Sequence, residues 1–144
     1  MVTIHVDHSK PSPARAIIRD WMEKSAASLA AYDADAHLEL ISKQVKVHGV
    51  PELEIIDYKD WESQVRHEFA NKLIKSVSFH GDHIRAENPK NIMFNTLEVL
   101  TASDGAVVRN GLEVVLRKET DGVWRVIQER ILDEGEMKHF GLTE

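Results

Sequence analysis

Two side chains in this sequence have the right chemistry to move a proton at neutral pH. His48 ends the alternating stretch Val45-Lys46-Val47-His48, just before the break Gly49-Val50-Pro51. An imidazole titrates near ~6.5, so it can take or give a proton under ordinary conditions. Glu113 sits among aliphatic residues in Leu112-Glu113-Val114-Val115. A carboxyl buried in such company has its pKa raised and can stay protonated, as a donor. Both residues also have plainer readings. His48 can be a strand-end histidine in water, and Glu113 a half-exposed carboxylate paired with a Lys or Arg on the next strand. Glu129 shares these two readings, and Asn95 is either a polar anchor on an apolar face or a satisfied sheet-edge amide. Metal chemistry has weaker support. His5-Val6-Asp7-His8 and His80-Gly81-Asp82-His83 repeat the pattern His-x-Asp-His, whose donors suit zinc or nickel. One copy lies in an N-terminal leader and the other at a bend, and neither has the helical spacing of a catalytic metal motif, so no metal site is assigned. With no Cys in the chain, disulfides, thiol nucleophiles and iron–sulfur clusters are excluded. No phosphate-cradling glycine loop and no Gly-x-Ser-x-Gly occurs.

The elements that must position these residues fall into two blocks. Residues 1–12 read as a leader in which Val2, Ile4 and Val6 alternate as a short extra strand. Ser12 and Pro13 then open a helix over about 13–31, with Ile18, Met22, Ser25, Leu29 and Tyr32 at helical spacing. Asp33 or Asp35 caps a short second helix through about Ile41. Val45 and Val47 form a short strand, and a third helix begins after Asp57. On that helix Tyr58, Trp61, Val65 and Phe69 share a stripe, while Lys59, Glu62, Arg66 and Glu68 face away. From about Leu73 the period becomes two. Strands are expected over Leu73–Glu87, Ile92–Thr101, Ala106–Glu119 and Val123–Asp133, with Asp104-Gly105 and Asp121-Gly122 as hairpin turns and Asn110-Gly111 as a bulge or bend. Residues 134–144 are a polar tail carrying Met137, Phe140 and Leu142, expected to fold back over the sheet or a pocket mouth. Helices first and an antiparallel meander second argue for an α+β fold in a single domain over 1–144.

Both faces of the last strands are apolar, whereas a sheet with one wet face alternates apolar with polar. Three helices cover one side. Leu112, Val114, Leu116, Trp124 and Val126 on the other then need a cover, and a second copy of the sheet is the simplest, giving a homodimer. With 18 basic against 24 acidic residues the net charge is −6, which lacks the electrostatic footprint of a nucleic-acid binder. No apolar run is long enough to span a membrane, and Met1-Val2-Thr3-Ile4-His5 has neither the basic start nor the apolar stretch of a signal peptide. The expectation is a cytoplasmic protein.

Tyr32-Asp33-Ala34-Asp35 between helices, Val47-His48-Gly49-Val50-Pro51 after a short strand, and Asp121-Gly122-Val123-Trp124-Arg125-Val126-Ile127 opening the last strand are together similar to the nuclear transport factor two-like superfamily. These are the cystatin-like α+β cones, and the chain looks most like their SnoaL-like polyketide cyclases and ketosteroid isomerases. The resemblance covers about 13–133. It implies three N-terminal helices packed on a strongly bent antiparallel meander, enclosing a conical, largely apolar pocket. It implies a base where the short strand ends, at His48, and a second acid on the long strand, at Glu113. The Tyr that the isomerases carry in the first helix is absent here, since its place falls near Ala27. With Glu113 inward, Val115, Met93, Asn95, Leu97, Val99, Ile127, Glu129 and Ile131 would line the pocket, with Tyr58 and Trp61 from the third helix.

Two functions arise as expectations. One is an isomerase, cyclase or dehydratase acting on a small apolar molecule by proton transfer without a cofactor. In it His48 is the base, and Glu113, with Asn95 or Tyr58, polarises an oxygen. The other is a noncatalytic ligand-binding or association module of the same fold.

Overall fold

The computed structural model describes residues 13–50 and 55–142. The leader strand, its His-x-Asp-His, the Ser12 cap and Pro51 lie outside the described residues.

Helix α1 spans Pro13–Ala30 and buries Ile18, Trp21, Ser25 and Leu29 along one stripe. Asp33 caps α2, Ala34–Leu38, its side chain accepting from the Ala36 N–H at 3.1 Å. α2 is shorter than its apolar content suggests, because Leu40 and Ile41 leave the helix. The Leu40 carbonyl accepts from the Val126 N–H, and β1, Ile41–His48, runs on from there. Cross-strand pairing overrides helical spacing at this point. Asp57 and Asp60 form a reciprocal capping box at the start of α3, Tyr58–Ala70. The strands β2, Ile74–Asn88, β3, Asn91–Ala102, β4, Val107–Lys118, and β5, Trp124–Ile131, come next, and α4, Glu134–His139, closes the described chain.

The strands form one sheet in the order β1-β5-β4-β3-β2. β2 to β5 make the antiparallel meander, but β1 pairs with β5 in parallel, so the sheet is mixed. On β5 the register slips by one residue: Leu116 faces Val126 while Val115 faces Gln128, leaving Ile127 as the extra residue of a bulge. At the end of β1, Gly49 has φ +87°, and a Cβ there would lie 2.8 Å from the Ile131 carbonyl oxygen. That position therefore requires glycine.

The helices cover the face that carries Phe94, Leu112, Val114, Leu116 and Val126, all at most 1 % exposed. Trp21 anchors α1 to this face, with its ring 5.6 Å from Phe79 and 6.4 Å from Phe94, and its indole N–H donates to the Leu40 carbonyl. This corrects the expected dimer face. Leu112, Val114, Leu116 and Val126 are the core beneath the helices, and Trp124 packs partly buried against the same cluster. The opposite face has its own cover within the chain. Leu97, Val99 and Leu132 are buried there under Met137, Phe140 and Leu142 of the tail. Arg130 ties the tail down by bonding both Glu113 and Glu136. Gly111 is neither bulge nor bend, since it keeps regular register with Leu97. Its missing side chain makes room for Met137, whose Cγ would lie 2.6 Å from a Cβ there. Both faces are apolar because one is covered by helices and the other by the chain's own C-terminal segment.

No helix among the described residues is long and apolar enough to cross a membrane.

Candidate functional site

The helix-covered face does not close completely. A cavity of about 240 Å³ remains between α1, α2, α3 and the sheet. Its apolar walls include Trp21, Trp61, Phe69 and Phe79, and Glu68, Glu98, Glu129, His37, Asn110 and Gln64 bring polar groups to it. No Lys or Arg lines it among the described residues.

Strand alternation delivers two of the carboxyls. Glu98 pairs across the sheet with Phe79 and with Asn110, and all three line the cavity. Glu129 pairs with Val47 and Val114 on the same face. The Ile127 bulge is what allows Val126 and Glu129, of opposite parity, to share that face. Burial raises the Glu98 carboxyl to about 7; a hydrogen bond from the Asn110 side chain opposes the rise and the nearby Glu68 adds to it. Burial, reinforced by the charge of Glu98, raises Glu129 to about 8. Glu68 of α3 also has its carboxyl pKa raised by burial, with Gln64 as a hydrogen-bond partner.

His37 completes the polar lining. Burial lowers its pKa to about 4, so the ring is neutral at physiological pH. Its Nδ1 lies 2.8 Å from Ser28 Oγ, and that hydroxyl donates to the Ser25 carbonyl. A hydrogen bond to the Ser25 backbone opposes part of the lowering of the His37 pKa. The ring also packs 5.2 Å from Phe69.

Most of the residues expected at the site lie elsewhere. Trp61 and Glu129 line the cavity, with Ile131 beside them. Glu113 does not. It shares the opposite face with Arg130, which bonds it through two nitrogens at 3.3 and 3.4 Å. His48 pairs in register with Arg130, so it too lies on that face, half-buried. The two residues expected to transfer protons are thus brought to one side of the sheet, on the far side from the cavity and with an arginine between them. Met93 and Val115 are on that outer face as well, and Leu97 and Val99 are beneath the tail. Asn95 is fully buried there, in register with Glu113 and His83, and its amide has no hydrogen-bond partner among the described residues. Ile127 is the bulge residue. Tyr58 opens on a separate polar cleft with Glu39, Ser42, Glu119 and Arg125. Arg125 is already taken up there by Glu39, Glu119 and Asp121.

Sequence reasoning passes over Glu98, His37 and Glu68. Glu98 has a usable signal, being the one charged residue in the run Ile92–Thr101. Glu68 belongs by spacing to the outward side of its helix, but it is exposed only in part and reaches the cavity. The residues of His80-Gly81-Asp82-His83 diverge. Asp82 pairs with Arg15 and Arg19 of α1, His80 bonds Ser78, and His83 stacks near Phe140. Among the described residues, no group of three or more His, Asp or Glu side chains is placed to hold a metal ion.

No protein-family model matches the sequence, and no curated protein is recognisably related to it. Solved structures are similar in fold. A protein of Novosphingobium aromaticivorans, provisionally described as a scytalone dehydratase, superposes with TM-score 0.66 at 10% identity, over 81% of this chain and 80% of that one. An NTF2-like protein of Cytophaga hutchinsonii gives TM-score 0.64 at 15% identity, over 81% and 95%. A protein of Nostoc punctiforme with a cystatin-like fold gives TM-score 0.63 at 12% identity, over 85% and 92%. At these identities the likeness shows the fold: this is an α+β protein of NTF2-like, cystatin-like architecture.

Proposed function

We propose that the cavity binds a small, largely apolar molecule and that Glu98 and Glu129 move a proton on it without a cofactor. The observation that carries this reading is the pair of carboxyls with raised pKa values, facing one apolar cavity. Burial and their mutual repulsion raise both carboxyls to around neutrality, so the pair retains a proton that one of them can donate to an oxygen. The ionised partner can accept one, and Asn110 holds Glu98 in place. Two carboxyls that share a proton near neutrality supply both halves of an isomerisation or an elimination of water: an acid on the oxygen and a base on the carbon-bound proton. The description of one neighbour as a dehydratase agrees with the second, although fold alone does not assign a reaction. His37, neutral, offers a further hydrogen-bonding nitrogen.

The test is exchange of carbon-bound protons into deuterated water, monitored by NMR for a panel of small cyclic enones and β-hydroxy ketones. Wild-type protein should accelerate exchange or elimination on at least one member. Glu98→Gln and Glu129→Gln should each reduce the rate by about 100-fold or more while the protein stays folded. Binding without any exchange would replace this reading with that of a noncatalytic pocket.

A further inference from the structure

The cavity walls contain an electrostatic imbalance. Glu68 from α3, Glu98 from β3 and Glu129 from β5 converge on one space, and no Lys or Arg among the described residues reaches it. Glu98 has Asn110 as a partner, and Glu68 has Gln64. Glu129 has neither. Like the other two it is half-buried and faces the cavity, and no donor among the described residues hydrogen-bonds it. Buried polar groups are seldom left without a partner. Whatever enters the cavity can therefore supply a partner for Glu129.

An alcohol would bring one donor. A protonated amine brings two or three, and with them the positive charge that the cavity lacks. The remaining walls suit such a guest, because Trp61, Phe69 and Phe79 offer aromatic surface to an organic cation or its ring. We infer that the ligand of this cavity carries a basic nitrogen on a compact aromatic or alicyclic body, its ammonium held among Glu68, Glu98 and Glu129. The inference rests on the cavity being a ligand site and adds the charge class of the ligand. It also sets the proton count. Glu98 and Glu129 are held up partly by burial and partly by a like-charged neighbour, Glu68 acting on Glu98 and Glu98 on Glu129. A cation among them reverses the like-charge effect, so the acids release protons as the amine binds. The neutral His37 ring opposes no cation.

The experiment is calorimetric titration of the full chain at neutral pH with benzylammonium and with benzyl alcohol, in phosphate and in MOPS, which carry no primary ammonium and whose ionisation enthalpies differ. The expected result is binding of benzylammonium at least about tenfold tighter than benzyl alcohol, with net proton release. Glu68→Gln, Glu98→Gln and Glu129→Gln should each erode that preference. Equal or tighter binding of the alcohol overturns the cation inference and leaves the pocket reading standing. Binding of the amine that none of the three variants alters overturns it too, since the amine then sits elsewhere. Binding of neither probe overturns this inference, and the pocket reading falls with it only if the enones and β-hydroxy ketones also fail to bind.

Discussion

Glu98 and Glu129 make stability depend on pH in a direction that can be worked out. A carboxyl raised above its ordinary 4.5 is protonated in the folded chain while the unfolded chain has already lost its proton. Stability therefore falls as pH rises from about 4.5 through about 7 for Glu98 and about 8 for Glu129. His37 acts oppositely. With its pKa lowered from 6.5 to about 4, it costs stability as pH falls below 6.5. Between pH 6.5 and 8 the carboxyl effect stands clear of His37. The melting temperature should drop by a few degrees across that window. Glu98→Gln and Glu129→Gln should each flatten the drop and raise the value at about pH 8. An undiminished slope in the double variant would place its source outside the cavity.

Among the elements, the C-terminal segment holds down a face that three helices leave bare. Met137 fits over Gly111, Phe140 packs against His83 and under the Arg85 guanidinium, and Arg130 links Glu113 to Glu136. Truncation after Asp133 should lower the melting temperature and increase binding of a hydrophobic dye, because Leu97, Val99 and Leu132 lose their cover. An unchanged melting temperature would mean that the segment is not docked in solution. Gly49→Ala is expected to cost about 1–3 kcal/mol in denaturant unfolding, from a positive φ and a Cβ pressed on the Ile131 carbonyl. At this scale the sequence is readable. Asp33, Asp57 and the Asp-Gly turns mark element ends by local chemistry, and they stand where that chemistry predicts. β1 is legible only in part, because its first residues gain their strand hydrogen bonds from β5, far along the chain.

For the whole molecule, the harder question is which face of the sheet turns inward, and local pattern does not answer it. On β4 the even positions are Leu112, Val114 and Leu116, while the odd ones alternate Glu113, Val115 and Arg117. The uncharged set takes the helices, as burial cost dictates, and the set with charges faces out, where Arg130 and Glu113 neutralise each other. The resemblance points Glu113 inward, and with it Met93, Asn95, Leu97, Val99 and Val115. It puts Glu129 and Ile131 on the cavity side, where they are, and leaves Glu98 out with its side of β3. Val114→Asp separates a core from an association surface. With Val114 fully buried, a charge there should abolish folding as seen by circular dichroism, whereas an interface residue would leave a folded monomer.

The bulge on β5 means that the position of every later residue in that strand depends on a single insertion. Deleting Ile127 would remove the bulge and leave the later residues on their present faces, whereas a strand that ran through Ile127 in unbroken alternation would have them turned by half a turn. In that unbulged strand Glu129 would lie outside the cavity and Arg130 inside it, exchanging an acid for a base without substituting either residue. Residue counting alone therefore misassigns this strand's chemistry. An alignment of any relative must place a gap correctly at Ile127 before it can say which charge the relative holds inside.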